Sequence, residues 1–129
     1  MIENKNFSLI NKTKSTLPGV PFALIKDAVL GSDYDLSLVF IGDDEARQLN
    51  IERRGGDYVP NVLSFPLDEK AGEIFINPLE AARQAKDFDR NPENMISFLY
   101  IHGLVHLKGF DHGVTMDRTE ARFRKEFGI

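Results

Sequence analysis

The sequence lacks cysteine entirely and contains only 3 histidines among its 129 residues. Without cysteine the chain has no disulfide, no thiolate nucleophile, no iron–sulfur cluster and no zinc site that needs sulfur. Any chemistry must therefore use nitrogen and oxygen groups. The lack of cysteine also fits a reducing compartment.

Two further absences concern location and charge. No stretch approaches the roughly 18 consecutive apolar residues of a transmembrane helix, and the N-terminal segment MIENKNFSLI lacks the basic start and apolar run of a signal peptide. We therefore expect a cytoplasmic protein with no membrane partner. There is no basic excess either, since the net charge is −4. A protein that coats nucleic acid non-specifically usually has such an excess, so nucleic-acid binding by this chain must be local.

What is present is sufficient for one hydrophobic core. Hydrophobic residues make up 42% of the chain and charged residues 28%, with 10 Phe and no Trp, a composition typical of globular proteins. At this length we expect one domain covering residues 1–129, without internal repeats or linkers.

Hydrophobic patterning predicts strands that alternate with helices. Period-two or β-branched segments predict four strands at residues 6–11, 35–41, 61–66 and 72–77. Helical spacing between start and stop residues predicts five helices at about 22–30, 43–53, 78–89, 91–109 and 117–127. Asp43 or Asp44 is the expected N-cap of the second helix. The fourth helix is apolar over most of its circumference and should lie buried under the sheet. The predicted fold is therefore α+β, with a small mixed sheet of about four strands packed with about five helices.

All three histidines lie in the window 102–112. His102 and His106 are four residues apart, which places both imidazoles on one helix face, one turn apart. Gly109 can end that helix and turn the chain, so that His112 reaches the same ion from the other side. Three neutral imidazoles with one open position are typical of a catalytic zinc site. We expect one Zn²⁺, although imidazole also suits nickel, copper and iron.

The spacing has alternative interpretations. A pair of histidines four residues apart is often no more than a surface or core coincidence, and Asp111 beside a ligand is either an acceptor that orients an imidazole or a simple turn residue. The three histidines and Gly109 also match the metzincin protease motif H-E-x-x-H-x-x-G-x-x-H. The glutamate that serves those proteases as general base is replaced here by Gly103, which weakens the protease hypothesis.

The window HGLVHLKGFDH closely resembles the H-G-x-L-H-L-x-G-[YF]-D-H signature of the YbeY family of ribosomal-RNA maturation endoribonucleases. Val105 stands where that family usually has leucine. Two other blocks are similar to family motifs in the same order: Leu49-Asn50 followed by Arg54, Asp57 and VLSFP at 62–66, and GEIFI at 72–76. The resemblance spans residues from about 36 to 127.

The resemblance implies an α+β fold with a zincin-like metal helix and a zinc-dependent, single-strand-specific endoribonuclease. It implies a role in rRNA maturation at the 3′ end of the small-subunit rRNA and in ribosome quality control. His102, His106 and His112 would be the metal ligands, and Arg54 the catalytic arginine near the metal. A guanidinium at that place can hold a phosphate by two hydrogen bonds and stabilise charge that builds on phosphorus.

The partners that the resemblance implies are ribosomal RNA and pre-ribosomal or 70S particles, together with small-subunit ribosomal proteins and a ribosome-assembly GTPase. The chain departs from the family at Val59-Pro60-Asn61, where Pro-Thr-Asp is usual, and Asn61 cannot serve as a carboxylate. The two alternatives are a metzincin-like metalloprotease and a non-enzymatic ribosome-associated module with a structural metal.

Overall fold

A computed structural model describes the backbone of residues 2–4 and all of residues 6–109 and 113–129. Five strands in these ranges form one sheet: β1 (Ile2–Asn4), β2 (Phe7–Asn11), β3 (Asp35–Phe40), β4 (Val62–Asp68) and β5 (Ala71–Ile76). Their order is β1-β2-β3-β5-β4. Strands β2, β3 and β5 run parallel, whereas the outer pairs β1/β2 and β4/β5 are antiparallel. The sheet is therefore mixed, and β4 is an edge strand.

The described ranges contain five α-helices: α1 (Phe22–Leu30), α2 (Asp43–Arg54), α3 (Pro78–Gln84), α4 (Pro92–Leu107) and α5 (Val114–Phe127). The α+β class, the mixed sheet and the five helices are confirmed. The structure differs from the prediction in two places. It adds the three-residue strand β1, and it divides the predicted helix at 78–89 into α3 and a 3-10 helix at Ala85–Phe88. None of the helices in the described ranges is long and apolar enough to cross a membrane.

Alternation along the strands builds an apolar layer on each face of the sheet. Leu38 and Phe40 of β3 belong to the larger core, which includes buried side chains of α1, α4 and α5. Val39 and Phe75 belong to a smaller cluster that contains Ala46 of α2. The sheet therefore lies between α2 on one face and α1, α4 and α5 on the other.

Helix α4 is the most deeply buried helix of the fold, as its composition predicts. Its buried hydrophobic residues are Met95, Ile96, Leu99, Tyr100, Ile101, Leu104 and Val105. The Tyr100 hydroxyl donates a hydrogen bond to the Phe22 carbonyl oxygen at 2.7 Å, and burial raises the pKa of Tyr100 well above its usual value. The helix is thus fixed to α1 as well as to the sheet.

Helix α2 is held on the opposite face by a polar cluster at its start. Gly42, not an aspartate, is the N-cap, so the capping prediction is wrong. Asp43 instead accepts hydrogen bonds from Arg83 at 3.0 and 2.7 Å and from the Asn77 amide at 2.8 Å. These donors hold the pKa of the Asp43 carboxyl below its usual range, with Arg83 contributing most. Because Asn77 also caps α3, the cluster joins α2 to α3.

Replacing Asp43 by asparagine should therefore destabilise the fold in a pH-dependent manner. A carboxyl whose pKa is lowered by folding stabilises the protein above its unfolded pKa of about 3.9, and this contribution disappears as the pH falls through the lower folded value. We expect Asp43→Asn to lower the free energy of unfolding by about 1 kcal/mol at pH 7, and the difference from wild type to vanish in acid.

Urea unfolding between pH 7 and pH 3 measures this difference. Asp44→Asn is the matched control because Asp44 is exposed in the same helical turn. A difference that stays constant with pH, or that is equal for Asp44→Asn, would contradict the prediction.

Candidate functional site

A cavity of about 170 Å³ lies between the edge strand β4 and helix α4. It is lined by Arg54, Tyr58, Asn61, Val62, Leu63, Ser64, His102 and His106. The structure therefore brings together three of the four residues singled out from the sequence: Arg54 from the end of α2, and two histidines from the last turns of α4.

His102 is oriented by a carboxylate of α5. Both carboxylate oxygens of Glu120 lie 3.1 Å from His102 Nδ1, and Glu120 is only 5% exposed. An ionised carboxylate can only accept, so Nδ1 is the nitrogen that donates to Glu120 and Nε2 is the nitrogen left to bind a metal. A histidine held in this way by a carboxylate is the usual arrangement of a metal ligand. His102 and His106 both line the cavity, and imidazole nitrogens suit a divalent metal such as zinc.

The remaining predicted ligand, His112, lies outside the described residues, as does Asp111. Within the described ranges, no group of three or more His, Asp and Glu side chains is placed to hold a metal ion. The three-histidine site therefore stays a prediction, to which the structure contributes the positions of His102 and His106.

Arg54 reaches the cavity because α2 ends beside β4. Gly55 ends the helix with φ 71°, a left-handed conformation that glycine adopts without steric cost. The Arg54 guanidinium donates to the Ser64 carbonyl oxygen at 3.1 Å and lies 5.6 Å from the centre of the Phe65 ring. Among the residues that the structure describes, no carboxylate forms a salt bridge with Arg54. Its charge is therefore available to an anion in the cavity.

Two cations that are close in sequence to Arg54 and to the histidines, Arg53 and Lys108, lie outside the cavity. Arg53 pairs with Glu73 at 2.9 Å and lies 4.8 Å from the centre of the Phe65 ring, on the α2 side of the sheet. Lys108 donates to the Val29 carbonyl oxygen at 2.9 Å, toward α1. Neither side chain lines the cavity.

At Gly103, helix α4 packs closely against the sheet. A Cβ at this position would lie 2.9 Å from Ser64 Oγ and 3.1 Å from Ile74 Cδ1. The position faces the packed sheet, so the glutamate of the protease motif has no room here. The lack of space explains why position 103 is a glycine. It also counts against the protease alternative.

Glu120 is the residue of the candidate site that the sequence did not single out. Charges of both signs interleave along α5, at Asp117, Arg118, Glu120, Arg122 and Glu126, which is typical of a solvated helix face. The sequence nevertheless contained a signal for burial. Large side chains recur every three or four residues along α5, at Met116, Glu120, Phe123 and Phe127. Glu120 thus occupies a position in the apolar stripe of α5, where a carboxylate requires a polar partner.

Comparison with known proteins identifies the family. The family model described as Endoribonuclease YbeY matches residues 2–127. The chain belongs to the YbeY family.

Individual relatives agree with this YbeY assignment. The protein named Endoribonuclease YbeY from Alkaliphilus oremlandii is 38% identical over 104 residues, which cover 73% of this chain and 69% of the relative. The one from Thermotoga maritima is 30% identical over 126 residues, covering 96% and 80%. A solution structure of a Thermotoga maritima protein matches the fold with a TM-score of 0.66 and 27% identity, over 94% of this chain and 88% of that one.

The packing at Gly103 of this YbeY-family chain gives a test of the site's geometry. Adding a branched side chain there forces α4 away from β4 and β5, and such overpacking costs about 2 kcal/mol. We expect Gly103→Val to lower the free energy of unfolding by about that amount, measured by urea titration.

Gly19→Val is the control, because a Cβ on Gly19 has no atom within 4 Å. It should change stability by less than about 0.5 kcal/mol. Equal effects of the two substitutions would show that α4 tolerates displacement from the sheet.

Proposed function

We propose that this protein is a metal-dependent endoribonuclease that cleaves single-stranded RNA in the cavity between β4 and α4. The observation that carries the proposal is the convergence of Arg54, His102 and His106 on one cavity. Membership of the YbeY family supports the same reaction, because the relatives carry the name endoribonuclease.

The proposed metal is one zinc ion, held by His102, His106 and His112. The Glu120 carboxylate supports this assignment because it fixes the metal-binding form of His102. When bound, zinc supplies a Lewis acid and lowers the pKa of a coordinated water or hydroxyl.

Arg54 is proposed to bind the scissile phosphate. Its hydrogen bond to the Ser64 carbonyl fixes the guanidinium beside the cavity. A guanidinium placed in this way can donate two parallel hydrogen bonds to phosphate oxygens, and it stabilises the charge that develops on phosphorus during cleavage. The cavity of about 170 Å³ is smaller than the roughly 300–1,000 Å³ of most ligand pockets, so it suits a phosphate group rather than a base pair.

In the cell we propose a role in rRNA maturation at the 3′ end of the small-subunit rRNA and in ribosome quality control. The partners would be ribosomal RNA, pre-ribosomal or 70S particles, small-subunit ribosomal proteins and a ribosome-assembly GTPase, in the cytoplasm. Because the net charge is −4, attraction to RNA is confined to the cleft, and docking on a ribosomal particle would supply the remaining affinity.

Removing the Arg54 guanidinium should impair cleavage directly. Loss of one charged donor to the transition state typically lowers kcat by about 10²–10³-fold. We expect this loss for Arg54→Ala, assayed on a labelled single-stranded RNA with zinc present. Arg54→Lys keeps the charge without the two-pronged donor geometry and should recover part of the rate.

Arg47→Ala is the matched control, since Arg47 lies on the same helix and pairs with Asp57 at 2.6 Å. It should retain wild-type activity. RNA cleavage that is unaffected by Arg54→Ala would exclude the assigned role.

The same preparations distinguish the alternative functions. Cleavage of peptides without cleavage of RNA would favour the protease alternative. Ribosome binding without any cleavage would favour the non-enzymatic module.

Removing the Glu120 charge should weaken metal binding. Substitution of the carboxylate that orients a ligating histidine typically reduces metal affinity by about 10–100-fold. We expect Glu120→Gln to show this reduction in competition with a chromophoric zinc chelator, followed by elemental analysis.

Glu126→Gln is the control on the same helix, because Glu126 is exposed. A Glu120→Gln protein that binds zinc as tightly as wild type would mean that His102 needs no carboxylate. Absence of zinc from both wild type and Glu120→Gln would contradict the metal site itself.

A further inference from the structure

A second, larger cavity adjoins the proposed phosphate site. It measures about 370 Å³ and shares Asn61, Val62 and His102 with the smaller cavity. The rest of its lining comes from Phe88, Phe98, Leu99, Asp117, Glu120 and Arg124. Its volume lies within the range of small-molecule pockets, and its wall combines aromatic rings with a few polar groups, as ligand sites do.

The aromatic wall presents one accessible ring. Phe88 and Phe98 pack with their ring centroids 5.5 Å apart. Guanidinium groups cover the Phe98 ring, with Arg90 at 4.3 Å and Arg124 at 5.0 Å from its centroid. Phe88, in contrast, is 47% exposed. An exposed phenylalanine beside a cavity can stack against a planar ligand.

The turn that presents Phe88 is fixed by backbone hydrogen bonds. The 3-10 helix ends at Phe88 and is followed by Asp89, whose φ of 53° is unusual for a residue other than glycine. The Asp89 N–H donates to the Lys86 carbonyl at 3.1 Å, and the Arg90 N–H donates to the Ala85 carbonyl at 3.0 Å. The ring is therefore held on a defined turn and not on a loose loop.

The lining of the cavity carries charges of both signs, from Asp117, Glu120 and Arg124. Arg124 lies 3.7 Å from Glu120, and burial, together with the nearby charge of Arg124, lowers the pKa of Arg90. Because Glu120 already offsets the charge of Arg124, recognition at this wall rests on its aromatic rings rather than on a phosphate contact. Asp117 and the Asn61 side-chain carbonyl oxygen offer acceptors for the edge of a base, while the Asn61 amide nitrogen donates to Gln84 Oε1 at 2.7 Å.

We propose that this second cavity is a nucleobase subsite, in which Phe88 stacks on the base of the nucleotide next to the scissile phosphate. The inference rests on the proposed endoribonuclease function and names the part of the substrate that this wall recognises. Proteins bind single-stranded RNA by stacking unpaired bases on aromatic side chains, and a paired base cannot enter such a pocket. The subsite therefore also gives a physical reason for cleavage of single strands.

The first test removes the ring while keeping the apolar contact with Phe98. Phe88→Leu should raise KM for a short single-stranded RNA about ten-fold and leave kcat unchanged, because stacking acts on binding. Phe88→Tyr keeps a ring and should retain the wild-type KM. Leu24→Ala, at another exposed apolar position, is the control and should have no effect.

A substrate series locates the base. A series of hexanucleotides would each carry one abasic site, at a different position in each. The KM of wild type should be about ten-fold higher for the abasic site at one of these positions. Phe88→Leu should show no such position. Identical KM values for wild type and Phe88→Leu, or identical abasic profiles, overturn the subsite and leave the proposed function intact. Absence of any RNA cleavage by wild type overturns both.

A spectroscopic test does not depend on Phe88→Leu folding normally. The chain contains no Trp, so Phe88→Trp introduces a single indole fluorophore at the cavity. Adding hexauridylate should quench its emission, whereas the emission of Leu24→Trp should not change. Equal responses of the two proteins would overturn the proposal.

Discussion

The contact between α4 and the sheet at Gly103 determines the geometry of the candidate site. With only a hydrogen at this position, the helix backbone approaches Ser64 of β4 and Ile74 of β5. This approach sets how far His102 and His106 stand from the edge strand, and hence the width of the cavity. Arg54 also donates a hydrogen bond to this strand, at the Ser64 carbonyl oxygen. The proposed metal and phosphate groups are therefore positioned from one short stretch of β4.

The site lies where two layers of the fold meet around an edge strand. Helix α2 packs on one face of the sheet and α4 on the other. In the part of the chain that the structure describes, no strand continues the sheet beyond β4. The end of α2 can therefore reach around this edge toward α4. The Asp43 cluster lies at the other end of α2 and fixes the helix that carries Arg54.

Much of this arrangement could be predicted from the sequence, because local rules determine it. Period-two and helical patterns located the strands and helices, and the four-residue spacing of His102 and His106 placed them on one face. Contacts between distant segments were not predictable in the same way. Glu120 reaches His102 only because α5 folds back on α4. The end of the 3-10 helix after α3 coincides with the left-handed Asp89, which no propensity rule demands. The position of Arg54 beside the histidines came only from the resemblance to a family.

The ion pairs of the surface show where the positive charges of this acidic chain are neutralised. Several exposed cations are neutralised by neighbouring carboxylates, among them Arg47, Arg53 and Arg83. Arg54 follows Arg53 directly, yet it hydrogen-bonds to a neutral carbonyl. A positive charge that is not paired with a carboxylate, beside a narrow cavity, attracts a phosphate locally without giving the surface a general affinity for nucleic acid. Discrimination between RNA segments then depends on which segment fits the cleft. The overall negative charge of the surface strengthens this selectivity, because it repels phosphate outside the cleft.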